Sequence, residues 1–427
     1  MHFKTIFNTY NQAETVRQIR EKIKTNSTFK LHLNGLVGSS LSLVAKACVE
    51  MDVGLHFFIF PNKEAAAYFY HDMEQLFGEK QLDFSDRRCL FFPSSFRKVY
   101  PTEEIDSYHV LLRTRALKKI QSPDNQLVIT YTEALSEKIL PSESIERESL
   151  KLFEGEAVSM DTVIEFLSEH DFVYSDYVFQ PGQFTVRGGI IDVFSYADEH
   201  PYRIDFYGDN IKSLRLFDSN TQASTSHVSE IVLMPNLAEN LENSEKVDLF
   251  SMLPPHTTLW IQNADLCAEY VQDFYEKMEE KQKTNENEST YAVSQLFIDK
   301  SIFLKSMVDR AVIECNLSDS LWTTAEKISF QTIPQPTFNQ NFEWLMSHWM
   351  ENFEHGIQNY FASENTNQSK RVKNIIHEIL ETHAHYKDYH SDYKKDIKKE
   401  LLKFVDISLH EGFIDKDLKI AFYTDHQ

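Results

Sequence analysis

The chain has 427 residues, with 65 Asp or Glu against 43 Lys or Arg, for a formal charge of −22. That balance excludes a broad surface wrapped around DNA and favours protein partners. At about 100–200 residues per domain the length predicts roughly two to four domains, and 32 Phe with 19 Tyr supply several cores. Cys48, Cys89, Cys267 and Cys315 are scattered, with neither metal-ligand spacing nor a disulfide framework, which fits a reducing cytoplasm. No apolar run approaches ~18 residues, and no signal peptide opens the chain, so a membrane span is not expected.

Residues 1–138 read as alternating helix and strand. Ala13–Thr25 is a charged helix, Thr28–Asn34 a strand, and Ser40–Met51 a helix with apolar residues at helical spacing. Leu55–Phe60 is an apolar strand, Glu64–Phe77 a helix, Cys89–Phe92 a strand, Ser107–Ile120 a helix and Gln126–Tyr131 a buried strand. Such alternation predicts an open parallel sheet. In the helix Ser107–Ile120, the cations Arg113, Arg115, Lys118 and Lys119 are expected on a solvated face.

The loop after the first strand runs from Asn34 through Gly35 and Gly38 to Ser40, Leu41 and Ser42. A working phosphate loop has the order Gly-x-x-x-x-Gly-Lys-[Ser/Thr]: amides wrap the phosphates and the lysine neutralises them. Here Gly35 takes the first glycine, Ser40 stands at the second, Leu41 replaces the lysine and Ser42 keeps the metal-side hydroxyl. The strand–loop–helix context is right and the charge is missing. Leucine cannot replace a cation in a phosphoryl-transfer site, so no ATP hydrolysis is expected. Gly35 and Gly38 as plain turn residues predict the same inactivity.

Pro141-Ser142 marks a boundary, and residues 139–222 form a second unit. A helix around Met160–Leu167 is followed by Phe184–Arg187, the pair Gly188-Gly189, then strands Ile190–Phe194, Tyr202–Tyr207 and Ile211–Phe217, the last two joined at Gly208-Asp209-Asn210. This is an antiparallel sheet with Arg187 displayed beside a bend. Residues 223–335 return to strand–helix alternation (Val228–Met234, Thr257–Ile261, helix Asp265–Met278, strand-like Ile328–Thr332), so the second unit is inserted into the first. The polar run Glu279–Ser289 is a solvated loop or helix end. Residues 336–427 are a separate small α/β unit: helices over Glu343–Glu354 and Gln368–His383, a helix continuation or short strand at Gly356–Ser363, and a strand at Lys419–Thr424.

The passage Pro181–Asp218 resembles the module shared by UvrB, the damage-recognition factor of bacterial excision repair, and Mfd, the transcription-repair coupling factor. The resemblance rests on Gly182, Phe184, Arg187, Gly188, Ile191, Asp192 and Phe194, then Arg203-Ile204-Asp205-Phe206, then Phe217-Asp218 with Gln222. It covers about forty residues in order and spacing, and extends more faintly over most of the chain. The implied fold is α/β: a degenerate helicase-like (RecA/UvrB-like) parallel-sheet domain, split by an inserted α+β antiparallel-sheet domain and followed by a small α/β domain. UvrB carries an intact phosphate loop where Leu41 stands, and a long aromatic hairpin before the helix that corresponds to Ser107–Ile120, where this chain has about fifteen residues. Both departures favour the coupling factors over a UvrB-type damage-binding ATPase.

By resemblance, the arginine-bearing sheet docks UvrA, with Arg187 and Gly188 at its centre and Phe184, Ile190 and Phe194 as apolar support or rim. The small glycines leave Arg187 free to meet a carboxylate bidentately. An internal pair with Asp192 or Asp205 is the other reading. UvrB has a further arginine where Thr185 stands, and Lys212 and Arg215 are candidates to compensate. The resemblance also implies an N-terminal fragment of a longer protein. ATP, magnesium, RNA polymerase and double-stranded DNA would then engage absent regions, with no cofactor in the fragment. A scaffold outside repair remains an alternative. Asp198-Glu199-His200 lies in a loop rather than after an apolar strand and is no helicase acidic box. His377, His383, His385 and His390 lack metal-site spacing.

Overall fold

A computed structural model of the chain describes residues 2–25, 28–50, 54–82, 86–95, 107–120, 126–236, 246–284, 292–338, 341–364, 366–382 and 401–424. The expected absence of a hairpin before the helix Ser107–Ile120 falls largely on 96–106, outside these residues, as do His383, His385 and His390.

Strands β1 (Lys30–Asn34), β2 (His56–Phe60), β3 (Cys89–Phe92) and β4 (Leu127–Tyr131) come from the first part of the chain. They join β13 (Thr258–Gln262), β14 (Ala311–Asn316) and β15 (Glu326–Ser329) in one seven-stranded sheet of order β15-β1-β14-β13-β2-β4-β3. Every pairing in it is parallel. Helices cover it, and the central strands are apolar on both faces, as a sheet buried on both sides requires.

One strand of this sheet and one helix of the same unit were not foreseen. Strand β14 lies at its centre, and its run Ala311–Cys315 is interrupted by Glu314, which is fully buried. Glu314 accepts from Ala264 N (3.1 Å), Asn316 Nδ2 (3.0 Å), Ser320 Oγ (2.6 Å) and Leu321 N (3.0 Å), so its charge caps a helix start and closes the following loop. The helix His2–Gln12 precedes the expected one and buries Ile6 and Tyr10.

Between β4 and β13 lies a second group of strands. β6 (Val173–Tyr174), β7 (Gln183–Arg187), β8 (Ile190–Val193), β9 (Tyr202–Tyr207), β10 (Asn210–Phe217) and β11 (Ser224–Val228) form a sheet of order β11-β10-β9-β8-β7-β6. It is antiparallel except for β6 with β7. A two-stranded piece pairs β5 (Leu150–Phe153) with β12 (Glu230–Leu233). Strand pairing therefore carries the inserted unit to Leu233, beyond 222, because the polar strand β11 (Ser-Thr-Ser-His-Val) closes the sheet edge without an apolar signal. One sheet face, with Ile191, Ile204 and Leu214, packs on Val163 and Leu167 of the helix Met160–Glu169.

The last strands, β16 (Thr332–Pro334), β17 (Gln358–Ala362), β18 (Leu402–Val405), β19 (Phe413–Asp415) and β20 (Ile420–Thr424), form a mixed sheet of order β16-β19-β20-β17-β18. Its residues alternate between two cores. Phe361, Ile414, Ala421 and Tyr423 pack on Leu345, Trp349 and Ile376 of its own helices. Tyr360, Ala362, Phe413, Ile420 and Phe422 enter the core of the first unit instead. The third unit has its own sheet but is not separate. The sequence shows two buried faces and cannot show which body each one enters.

Phe413→Ala should cost about 3–5 kcal/mol, the range for deleting a buried aromatic ring. Because the core is shared, urea midpoints reported by Trp260 in the first unit and Trp349 in the third should fall together. A shift confined to Trp349 would contradict the shared core.

Candidate functional site: an arginine face and a filled glycine loop

Register assigns the two faces of the inserted sheet. Thr185, Asp192, Arg203, Arg215 and His227 lie opposite one another across five strands, and Arg187, Ile190 and Asp205 form the next row of the same face. The opposite face holds Phe184, Val193 and Tyr202, which belong to the buried core. Phe184 is therefore apolar support beneath the sheet. Phe194 sits in a small separate cluster with Val178 and Phe217.

Charge on the polar face is largely paired. Arg203 holds Asp192 with two bonds, Nε to Oδ1 at 2.7 Å and Nη2 to Oδ2 at 2.8 Å, and lies 4.8 Å from the Phe217 ring. Asp192 is only 2% exposed, so this is a desolvated pair. Asp205 takes Lys212 at 3.7 Å and Arg215 at 3.6 Å. Lys212 and Arg215 are thus committed near Asp205 on the third strand from Arg187, roughly 14 Å away at 4.7–4.9 Å per strand. They do not form one cluster with it.

Arg187 is exposed, and among the described residues no carboxylate pairs with it. Both carboxylates it was expected to choose between are held by other cations. Its guanidinium lies 4.8 Å from the centre of the Tyr177 ring and donates to the Asp176 carbonyl, a cation–π contact at an exposed site. A Cβ at Gly188 would meet nothing within 4 Å, so the space beside Arg187 is open. Thr185, where a second arginine was considered, is buried at the register position of Asp192 and Arg203, and an arginine there would crowd the Asp192–Arg203 pair.

Sequence reasoning missed an exposed aromatic stretch beside Arg187, in which Tyr177 meets its guanidinium, Phe179 packs on Tyr177, and Tyr174 packs on Phe184 at the other face. Val173 (64% exposed), Tyr174, Tyr177 and Phe179 are all exposed within seven residues, on and after the edge strand β6. Four large apolar groups in one short exposed stretch are unusual, and the run Val-Tyr-Ser-Asp-Tyr-Val-Phe was the signal available.

The glycine loop is closed. Gly35 has φ +91°, and a Cβ there would stand 2.1 Å from the Phe330 carbonyl oxygen, so only glycine fits. Thr332 Oγ1 donates to Gly35 O (2.6 Å) and accepts from Val37 N (3.0 Å). Ser40 turns back on the loop, accepting from Val37 N at 2.9 Å and donating to Val37 O at 2.6 Å. Leu41, in the lysine position, packs in the first unit's core. Ser42 donates to Asp72 Oδ2 at 2.9 Å. Burial pushes the Asp72 carboxyl up to about 6, against the lowering effect of the hydrogen bonds it accepts.

Other expectations resolve as structure. Arg113 is buried, not solvated: it donates to Pro93 O (2.8 Å), pairs with Glu137 (3.1 Å) and lies over Phe92, because its helix packs between two cores. Asp198 closes its own turn, accepting from Glu199 N, His200 N and Tyr202 OH. Among the described residues, no group of three His, Cys, Asp or Glu is placed to hold a metal ion. No helix among the described residues is long and apolar enough to cross a membrane.

Residues 150–238, which include this sheet, match the family described as the UvrB interaction domain. The chain is 24% identical over 205 residues to the transcription-repair-coupling factor of Escherichia coli, covering 48% of this chain and 17% of that protein. It is 32% identical over 177 residues to the same factor of Rickettsia prowazekii, covering 41% and 16%. To the UvrABC system protein B of Photorhabdus laumondii it is 25% identical over 232 residues, covering 53% and 34%. The chain thus spans between about a sixth and a third of the length of these relatives.

The antiparallel sheet falls within the segment that matches the UvrB interaction domain, and the α/β architecture around it is consistent with a UvrB-like protein. Within that class, the chain is similar to the N-terminal region of transcription-repair-coupling factors.

Arg203→Ala should destabilise the fold by about 3–5 kcal/mol, because it leaves Asp192 charged and buried. Chemical denaturation should show the loss, and Arg203→Lys should recover only part of it. Asp72→Asn should do the reverse. Its amide keeps an acceptor and gains a donor for Ser42, and it removes a buried charge. A raised folded-state pKa means that Asp72's unfavourable contribution grows between about pH 4 and 6 and is complete above it. The Asn variant should therefore melt higher than wild type at pH 7.5, with the gap closing towards pH 4.5.

Proposed function

We propose that this chain is the recruitment module of a transcription-repair coupling factor, binding UvrA through the polar sheet face at Arg187. The observation that carries the reading is the state of that arginine. Among the described residues it is exposed without a carboxylate partner, steadied by Tyr177, on which the exposed Phe179 packs. Arginine and tyrosine are enriched among residues that dominate interface energies. A charged, pre-positioned guanidinium beside open glycine backbone suits a bidentate carboxylate on the partner. Similarity to the coupling factors supports placing this module in a larger ATP-dependent translocase. That protein would act on double-stranded DNA and stalled RNA polymerase through regions outside this chain.

The module itself is read as neither hydrolysing ATP nor carrying a cofactor. Leu41 in the core and the committed amides of the glycine loop support this over a UvrB-type ATPase. Purified chain with ATP and magnesium should show no turnover above a heat-treated control. Turnover lost on Ser42→Ala would favour the ATPase reading.

Arg187→Ala should weaken capture of UvrA by roughly 10–100-fold, the range for losing an interface hot spot. Lys63→Ala, an exposed cation on the first unit, should leave it unchanged. Undiminished capture by the Arg187 variant would remove the site from the reading. Failure of wild type to bind UvrA would remove the reading itself.

A further inference from the structure

We propose that the segment His410–Gly412 of the third unit is a built-in occupant of the glycine loop, seated on the Ser39 amide at the helix start and locking the third unit onto the first. A phosphate-binding loop works by presenting unpaired N–H groups at a helix start. Here three of the loop's amides, those of Val37, Ser39 and Ser40, are engaged by the chain itself. Ser39 N donates to Glu411 O at 3.2 Å, and Glu411 N donates back to Ser39 Oγ at 3.1 Å. Val37 N is taken by Ser40 and Thr332, and Ser40 N donates to Val37 O.

Fit is close on both sides of the segment. Gly38 has φ +53°, and a Cβ there would lie 3.0 Å from Gly412 O and 3.2 Å from the Glu411 Cβ. A Cβ on Gly412 would be 1.9 Å from Gln335 Oε1 and 2.6 Å from Phe422 O, so the segment cannot retreat into its own unit. Gln335 N donates to Gly412 O (3.1 Å), and Gln335 Oε1 accepts from Thr424 N (2.8 Å), tying the segment to β20.

Side chains of the first unit complete the hold. Asp72 Oδ1 accepts from His410 N at 2.8 Å while its other oxygen holds Ser42, so one carboxylate joins the loop's helix to the segment. The His410 ring stacks on Tyr68 with centroids 3.3 Å apart. Leu409 and Phe413, on either side of the segment, are buried in the shared core, and Tyr10 OH donates to Asp415 at 3.1 Å. These contacts use backbone and side chains of this chain alone, and none involves Arg187.

Hydrogen exchange on the full chain, read by mass spectrometry, tests the proposal. In wild type, peptides spanning residues 407–413 should be protected as strongly as the strands of the first unit. The Ser39→Ala, Asp72→Ala double variant should lose that protection by at least tenfold while residues 202–217 keep theirs. Ser39→Ala with Asp72→Asn should lose clearly less. Wild-type exchange at 407–413 as fast as in open chain, or no change in the double variant, would overturn the proposal. Should the double variant not fold, titration of wild type with a fluorescent magnesium–ADP analogue gives an independent readout. No saturable signal is expected, and saturation in the micromolar range overturns the occupant. Turnover bears on the preceding reading, whereas protection and nucleotide affinity bear on this one.

Discussion

Parallel pairing of β14 between β1 and β13 is the constraint from which the rest of the molecule follows. It joins Lys30–Leu33 to Val312–Cys315 across the whole inserted unit. Parallel strands need a long crossover between them, so the chain has room to build a second domain in that interval. Pairing of β15 on the other side of β1 then fixes the glycine loop. Leu33 faces Ile328 and Asn34 faces Ser329, so the next residues must run side by side. Phe330 N donates to Asn34 O at 2.8 Å, and its carbonyl arrives where a side chain on residue 35 would have to stand. Gly35 is demanded by sheet register, whatever the loop once bound.

The same register places the third unit. Only two residues separate the end of β15 at Ser329 from Thr332, the first residue of β16. The last sheet must therefore begin beside the loop, and Thr332 bonds both Gly35 and Val37 while pairing with Asp415. Once Tyr360, Phe413 and Phe422 are buried in the first unit's core, the two units cannot part without exposing large aromatic surface. The inserted unit differs: it has a separate core, and its other sheet face carries the exposed Arg187 beside buried Thr185 and Asp192. The shared core and the exposed arginine thus lie in different parts of the chain.

What the sequence made legible follows the same division. Apolar runs such as Phe57–Phe60 and Leu127–Tyr131 are buried on both faces and could be read without ambiguity. The motif around Arg187 was legible because its polar and apolar residues alternate and its turn is marked by glycines. Strand β14 was not, since Glu314 breaks its pattern and its charge is satisfied by donors far along the chain. Arg113 was misjudged for a related reason: a cation on a helix reads as solvated unless its partner, Glu137, is known to be near. Leu41 was recognised as a lost lysine, but its place in the core and the backbone seated on the loop depend on contacts over 370 residues apart.

On the polar face of the inserted sheet, the order of charges along the strands explains why Arg187 is left without a carboxylate among the described residues. Asp192 lies on β8 and Asp205 on β9, the two inner strands, where they meet cations from β9 and β10. Arg187 stands on β7, on the side away from those cations, with Ile190 as its neighbour in the row. A carboxylate at position 190 would neutralise it and close the face; isoleucine there keeps the charge outward. The chain's −22 does not cancel this local excess. Charges further apart than about 8 Å at physiological salt are largely screened, so a partner in contact experiences the arginine and its aromatic surround before the net charge. An acidic protein can therefore present a cationic spot on its surface, provided its own carboxylates are held one strand further in.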